Sequence, residues 1–223
     1  MSAQLVDEIS GAPLSALMRE GSRAQHTAAE SSSFMEELLA GRVNEQGYAD
    51  YLLRLRKVYA ALEAVGRDLA ATDAVAAAVH DVTLERLAAI DADLGVWAPG
   101  ADGGSVESAA ADAYVARIEA TRAWGGLYAA HHYTRYLGDL SGGQAIGRLL
   151  DRFFELGGEG VAFYEFAEIP KPKPYKDGYR ARLDALDLGP AEKLRVVEEV
   201  QVAFELNQAL FEELGARLDD YRK

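Results

Sequence analysis

The chain has no cysteine among its 223 residues, which excludes disulfides, zinc–thiolate and iron–sulfur centres and thiol nucleophiles. Any metal must be held by histidine, by carboxylate or inside a cofactor. Histidine is scarce too, with only His26, His80, His131 and His132, and no Glu-x-x-His pair of the kind that di-iron bundles use. No stretch approaches the roughly 18 apolar residues that span a bilayer. The start of the chain lacks a basic flank followed by an apolar run, so the expected location is the cytoplasm, without export or anchor. Positive charge is short: 23 Lys and Arg stand against 36 Asp and Glu, a net charge of −13. Nucleic acid and anionic membranes are thereby excluded as general partners, and an anionic ligand must meet a local basic patch.

What is present in quantity is apolar surface. A hydrophobic fraction of 49% is enough for a real core, and the length fits one domain over 1–223. The apolar residues repeat with a helical period. Tyr48, Leu52, Leu55, Tyr59, Leu62 and Leu69 mark one face of a long helix over 44–70, with Asn44 as its N-cap. From Pro190, suited to a first helical turn, Leu194, Val197, Phe204, Phe211 and Leu214 carry the same period towards Arg222 and Lys223. Segments 14–30, 84–94, 106–124 and 128–154 also read as helices, separated by Gly, Pro and Asp clusters such as 98–104. The IPKPKPY segment, 169–175, is expected to be a non-helical surface connector because of its three prolines. No alternating strand pattern and no internal repeat competes, so the expected fold class is all-α, an irregular multi-helix domain.

Gly138, Gly142, Gly143 and Gly147 interrupt an otherwise strongly patterned helix, each costing about 1 kcal/mol relative to alanine. Gly138 and Gly142 lie one turn apart and bare the backbone on one face. From the glycines alone two readings stand: tight packing against another helix, or close approach of a flat ligand. The embedded LSGGQ, 140–144, matches the signature of ABC-type ATPases. No lysine in the chain follows a glycine, so the Walker A loop that such an enzyme needs is missing.

On the helix read over 14–30, Leu17, Ala24 and Ala28 share one face and His26 projects nearly opposite, with Glu30 one turn on. An imidazole there can ligate haem iron with Glu30 steering its other nitrogen, and Arg19 and Arg23 can meet an anionic edge. Taken alone, such a histidine fits an unremarkable exposed position better than a ligand. Lys176 and Arg180, four apart, form a second basic pair. His131 and His132 point about 100° apart, so at most one can face a ligand, and His80 needs no role beyond a helix C-terminus.

The string HHYTRYLGDLSGGQ, 131–144, closely resembles the distal-helix signature of haem oxygenases, and the resemblance extends to LSALMREGSRAQHTAAESSSFM at 14–35, GEGVAFYEF at 158–166, YKDGYRARLDAL at 175–186 and VAFELNQALFEEL at 202–214. It implies an all-α fold with haem b (iron protoporphyrin IX), both cofactor and substrate, sandwiched between a proximal helix and a Gly-rich distal helix. The implied reaction turns haem into biliverdin, carbon monoxide and ferrous iron with dioxygen as co-substrate. Electrons would come from an outside protein, a ferredoxin with its reductase or a flavoprotein reductase.

By position, the resemblance makes His26 the axial iron ligand and Glu30 the carboxylate beside it. Arg19, Tyr133, Lys176 and Arg180 match propionate contacts, with Arg23 a nearby addition, and Arg19 stands where many relatives have lysine. Gly138 and Gly142 match the positions where the distal backbone approaches haem, with Thr134, Ser141 and Gly143 in the same wall. Phe34, Met35, Phe204 and Phe211 resemble apolar lining. Asp139 matches the distal carboxylate that supplies protons through ordered water, and Tyr59, Tyr114, Arg135 and Asn207 the network around it. A carrier or sensor that binds haem without turnover is the alternative, and a monomer is the expected state.

Overall fold

The computed structural model describes residues 9–101 and 106–223, so part of the 98–104 connector lies outside the described residues. Twelve α-helices follow one another among those residues: α1 (Leu14–Gly21), α2 (Arg23–Glu30), α3 (Ser33–Leu39), α4 (Glu45–Ala70), α5 (Ala74–Val79), α6 (Leu87–Trp97), α7 (Ala109–Ala120), α8 (Gly125–Gly138), α9 (Gln144–Phe154), α10 (Pro172–Asp184), α11 (Pro190–Gly215) and α12 (Leu218–Tyr221). There is no strand among them, only a single antiparallel bridge between Val43 and Arg222. None of these helices is long and apolar enough to cross a membrane.

The long helix read around Tyr48–Leu69 is α4, and Asn44 caps it by accepting a hydrogen bond from the Gly47 amide. It is buried well beyond one stripe, because α5, α6, α7 and α8 all pack on it. Three charged side chains go inside with it, and each is paired, as burial of charge requires. Arg54 donates to Glu213 (2.8 Å) and to the Asp50 carbonyl (2.9 Å). Asp50 accepts from Tyr221 (2.5 Å) and Arg217 (3.1 Å), tying α4 to the chain end. Glu63 accepts from the amides of Arg86 and Leu87 at the start of α6 (2.6 and 2.8 Å).

Three expectations are corrected. The helix read over 14–30 is two helices broken at Ser22, whose backbone (φ −109°, ψ 9°) is non-helical and whose hydroxyl donates back to the Met18 carbonyl at 2.7 Å. Beside the break, Gly21 lets α11 come close, since a Cβ there would lie 2.4 Å from Val197. The buried side is accordingly Leu14, Met18, Ser22 and Ala29, while Ala24 and Ala28 are exposed. The IPKPKPY segment is not wholly a connector: Pro172 opens α10, with Pro174 still in its first turn. Prolines are tolerated there because first-turn amides have no intrahelical acceptor to lose. The closing helix ends at Gly215, and α12 is a separate turn after it.

Candidate functional site

The 128–154 segment is helical throughout but not uniform. Between α8 and α9, residues Asp139–Gly143 form a π-turn, a widened turn found preferentially at functional sites. The four glycines divide here. A Cβ added at Gly138 or Gly142 meets nothing within 4 Å, whereas at Gly143 it would sit 3.2 Å from the Tyr164 ring and at Gly147 2.9 Å from the Tyr164 Cβ. Gly143 and Gly147 thus answer to helix packing, and Gly138 and Gly142 to open space.

That space is a cleft between the π-turn and α2. Its inner part, about 650 Å³, is lined by His26, Glu30, Gly138, Asp139, Gly142 and Gly143, with Met35, Phe204 and Phe211 among the apolar wall. Its outer part, about 580 Å³, is lined by Arg19, Arg23, Tyr133 and Arg180. Both parts share His26, Thr134, Gly138, Ser141 and Phe204, so one continuous pocket runs from an apolar floor to a basic mouth. The volume suits a large flat ligand, and the wall is apolar with few convergent polar groups.

On the α2 side, the His26 side chain is 52% exposed. Its Nδ1 lies 3.4 Å from Glu30 and its ring stands edge-on to Phe204 at 5.3 Å. With Nδ1 turned to the carboxylate, Nε2 is left for a ligand. At the mouth, Arg19 and Arg23 both pair with Glu20, Arg19 at 3.0 Å, and Arg180 with Asp177 at 3.3 Å. Lys176 donates to Ser141 at 2.8 Å, reaching the distal turn from α10. Thr134 and Ser141 hydroxyls are taken up by the Ala130 and Leu137 carbonyls (2.9 and 2.6 Å).

Asp139, 8% exposed, is the buried anion of the site. Tyr59 donates to one of its oxygens, and Arg135 Nη2 stands 3.8 Å from the other. Arg135 also donates to Tyr59 Oη (3.2 Å) and to Asn207 Oδ1 (2.5 Å), so four side chains from α4, α8, the π-turn and α11 are locked together. Burial raises the Asp139 pKa against the opposing pull of Arg135 and Tyr59. The result is a carboxyl group whose proton is held more tightly than usual beside an open cavity.

Two residues read as part of the site are not brought to it. Phe34 is fully buried among Tyr51 and Tyr221, at 5.8 and 6.4 Å between ring centres, behind the pocket wall. Tyr114 is fully buried as well, and its hydroxyl has no partner among the described residues. Its ring lies 5.5 Å from His131, and burial pushes its pKa up to about 12. Conversely, Tyr51, Phe163 and Ile146 line the inner cleft without having been read from the sequence. Tyr51 sits eight residues before Tyr59, about two turns on the same helix, and that spacing was the available signal.

His131 and His132 both turn away from the cleft. His131 Nε2 donates to Glu199 at 2.7 Å, and His132 Nδ1 pairs with Tyr179 Oη at 2.8 Å. Burial lowers both pKa values, that of His132 to about 3. Their ordinary value of 6.5 returns on unfolding, so the unfolded chain binds more protons and stability is lost as pH falls below that value. From about pH 7 to about pH 5, His132 alone removes roughly 2 kcal/mol, and His131 acts in the same direction. The urea midpoint should fall accordingly; an equal midpoint at both pH values would show that these histidines charge without unfolding.

The chain is similar in sequence and fold to known proteins. A family model described as "Heme oxygenase" matches residues 12–213. The chain is 36% identical over 217 residues to heme oxygenase 1 of Rattus norvegicus, covering 94% of this chain and 74% of the relative. To heme oxygenase 1 of Synechocystis it is 34% identical over 210 residues, covering 92% and 86%. The crystal structure of the Synechocystis heme oxygenase-1 in complex with heme superimposes with a TM-score of 0.87 at 33% identity, covering 94% of this chain and 95% of that one. The heme oxygenase of Leptospira interrogans gives 0.86 at 34% identity, covering 91% and 100%. In sequence over nearly its whole length and in all-α architecture, this chain belongs to the haem oxygenase family.

Proposed function

We propose that the cleft between α2 and the π-turn receives haem, and that this haem oxygenase opens the macrocycle with dioxygen and external electrons to biliverdin, carbon monoxide and ferrous iron. The observation that carries the reading is the pairing of bare backbone at Gly138 and Gly142, where a Cβ would enter open space, with His26 across the same cleft. A flat macrocycle fits between these walls, and the basic mouth fits its two carboxylates. Bound haem supplies the iron that activates dioxygen and is itself the molecule consumed.

The chain's own residues then divide the work. His26 Nε2 would hold the haem iron, with Glu30 orienting the ring through Nδ1. Arg19, Arg23, Tyr133 and Arg180 face the propionate end, and Lys176 supports Ser141 beside it. Leu137 to Gly142 exclude bulk water from one face, and the apolar Met35, Phe204 and Phe211 do so at the cleft wall. Asp139 holds and passes protons, positioned by Tyr59, Arg135 and Asn207. A carrier that leaves haem intact has no need of a buried carboxylate locked beside the cleft. Hemin titration should give a Soret band, and ascorbate should then yield biliverdin; a band without biliverdin would make the protein a carrier.

The electron donor is an acidic ferredoxin or a flavoprotein reductase that docks at the basic mouth, the positive rim of an otherwise acidic surface. Electron transfer from it slows as ionic strength rises, because exposed charges are screened within about 10 Å at 0.1 M salt. A rate independent of salt would remove the docking site from this rim.

A further inference from the structure

Several hydroxyls lie at the inner cleft or directly behind it. Tyr59 donates to Asp139 and accepts from Arg135, while Thr134 and Ser141 donate to main-chain carbonyls. The Tyr164 hydroxyl is sealed off without a partner. Tyr51 differs from all of these. It lines the inner cleft together with Arg135, Asp139 and Asn207, and Arg135, which can only donate, is the one group that meets its hydroxyl, so the O–H proton itself is not taken up by the protein. Phe34, Tyr48 and Phe211 hold its ring at 5.8, 6.3 and 5.9 Å between centres, so the phenol is 5% exposed and fixed in direction. Burial raises its pKa, with Arg135 opposing and Asp139 adding to the rise. At working pH Tyr51 is therefore a neutral donor with its proton unspent.

We propose that Tyr51 is the ligand-selecting hydrogen-bond donor of the cleft, favouring dioxygen over carbon monoxide at the distal side. The inference rests on the cleft being the haem site. Dioxygen and carbon monoxide are similar in size and reach iron from the same side, so a cavity cannot separate them by volume. They differ in charge. Dioxygen draws electron density from ferrous iron and becomes a good hydrogen-bond acceptor, whereas carbon monoxide stays nearly non-polar. An O–H whose proton is not already taken up discriminates between the two. Carbon monoxide is a product of the proposed reaction, so the discrimination limits inhibition of the enzyme by what it makes.

Tyr51→Phe tests this, because it keeps the clamped ring and removes only the hydroxyl. Dissociation constants for dioxygen and carbon monoxide are measured on the ferrous haem complex of both proteins, with the infrared C–O stretch of the carbonyl form as a second readout. The preference for carbon monoxide over dioxygen should rise roughly five- to tenfold in the variant, the worth of one hydrogen bond to a partly charged acceptor. The change should come mainly from faster dioxygen release, and the C–O stretch should move to higher frequency. An unchanged melting temperature of the apoprotein shows that the packing of the ring survives. An unaltered ligand ratio and stretch would overturn the inference while leaving the haem site in place, as would loss of haem binding by the variant alone. A native protein that binds no haem would instead overturn the reading of the cleft.

Discussion

His26→Ala should lose the native Soret spectrum and reduce biliverdin formation on the order of 100-fold or more, while leaving the apoprotein folded. The two halves of this expectation have separate causes. The His26 side chain is half exposed, and its contacts are an edge of Phe204 and a 3.4 Å approach to Glu30. Truncating such a residue changes stability by about 0.5 kcal/mol or less. Function is affected far more, because no other histidine can take over. His131 and His132 are committed to Glu199 and Tyr179 inside the core, and His80 caps α5 away from the cleft. Haem is still expected to enter, held by the apolar walls and the basic mouth, but without its axial ligand. The truncation leaves a hole of imidazole size beside Phe204, so added imidazole should restore the spectrum and part of the turnover. An unaltered spectrum with full turnover in His26→Ala would show that iron is ligated from elsewhere.

Much of this architecture was legible from spacing alone. α4 and α11 follow from a helical period maintained over 26 residues each, and Asn44 from its place just before that period begins. What spacing could not show is where a helix deviates. The helix breaks at Ser22 beside a Gly21 that leaves room for Val197, more than 170 residues away, and periodicity carries no trace of so distant a contact. The π-turn is similar: the sequence showed four glycines in a helix without showing that two serve Tyr164 and two face open space. Pro172 was misread because a proline's effect depends on its position within a helix, and only the structure fixes that position.

The site residues split along the same line. His26, Asp139, Arg135, Tyr59 and Asn207 carry polar groups whose chemistry is visible in their identity, and the fold brings them to one cleft. Phe34 and Tyr51 show the limit. Both are aromatic, they touch each other, and one ring faces the core while the other faces the cleft. That assignment depends on the rotations of α3 and α4 about their axes, which residue type does not encode.

Asp139→Asn carries the sharpest separation of binding from chemistry. The substitution keeps the shape of the side chain and an oxygen to accept from Tyr59 but abolishes its titration. Net burial already raises the Asp139 pKa despite Arg135 and Tyr59, which means that desolvation of the charge outweighs its pairing. A group with a raised folded pKa contributes stability that is present below its unfolded value of 3.8 and lost as pH rises through the folded value. A neutral asparagine is therefore tolerated at neutral pH, and the melting temperature should change little. Haem affinity should also hold, because His26 and the basic mouth are untouched. Biliverdin formation should nevertheless fall on the order of 100-fold, the usual contribution of a positioned proton-transfer group. The pH profile gives the independent check: native turnover should change across a window displaced upward from the ordinary aspartate range, and that inflection should vanish in the variant. Native-rate turnover by Asp139→Asn, or an inflection that persists in it, would move the proton source to another group of the cleft.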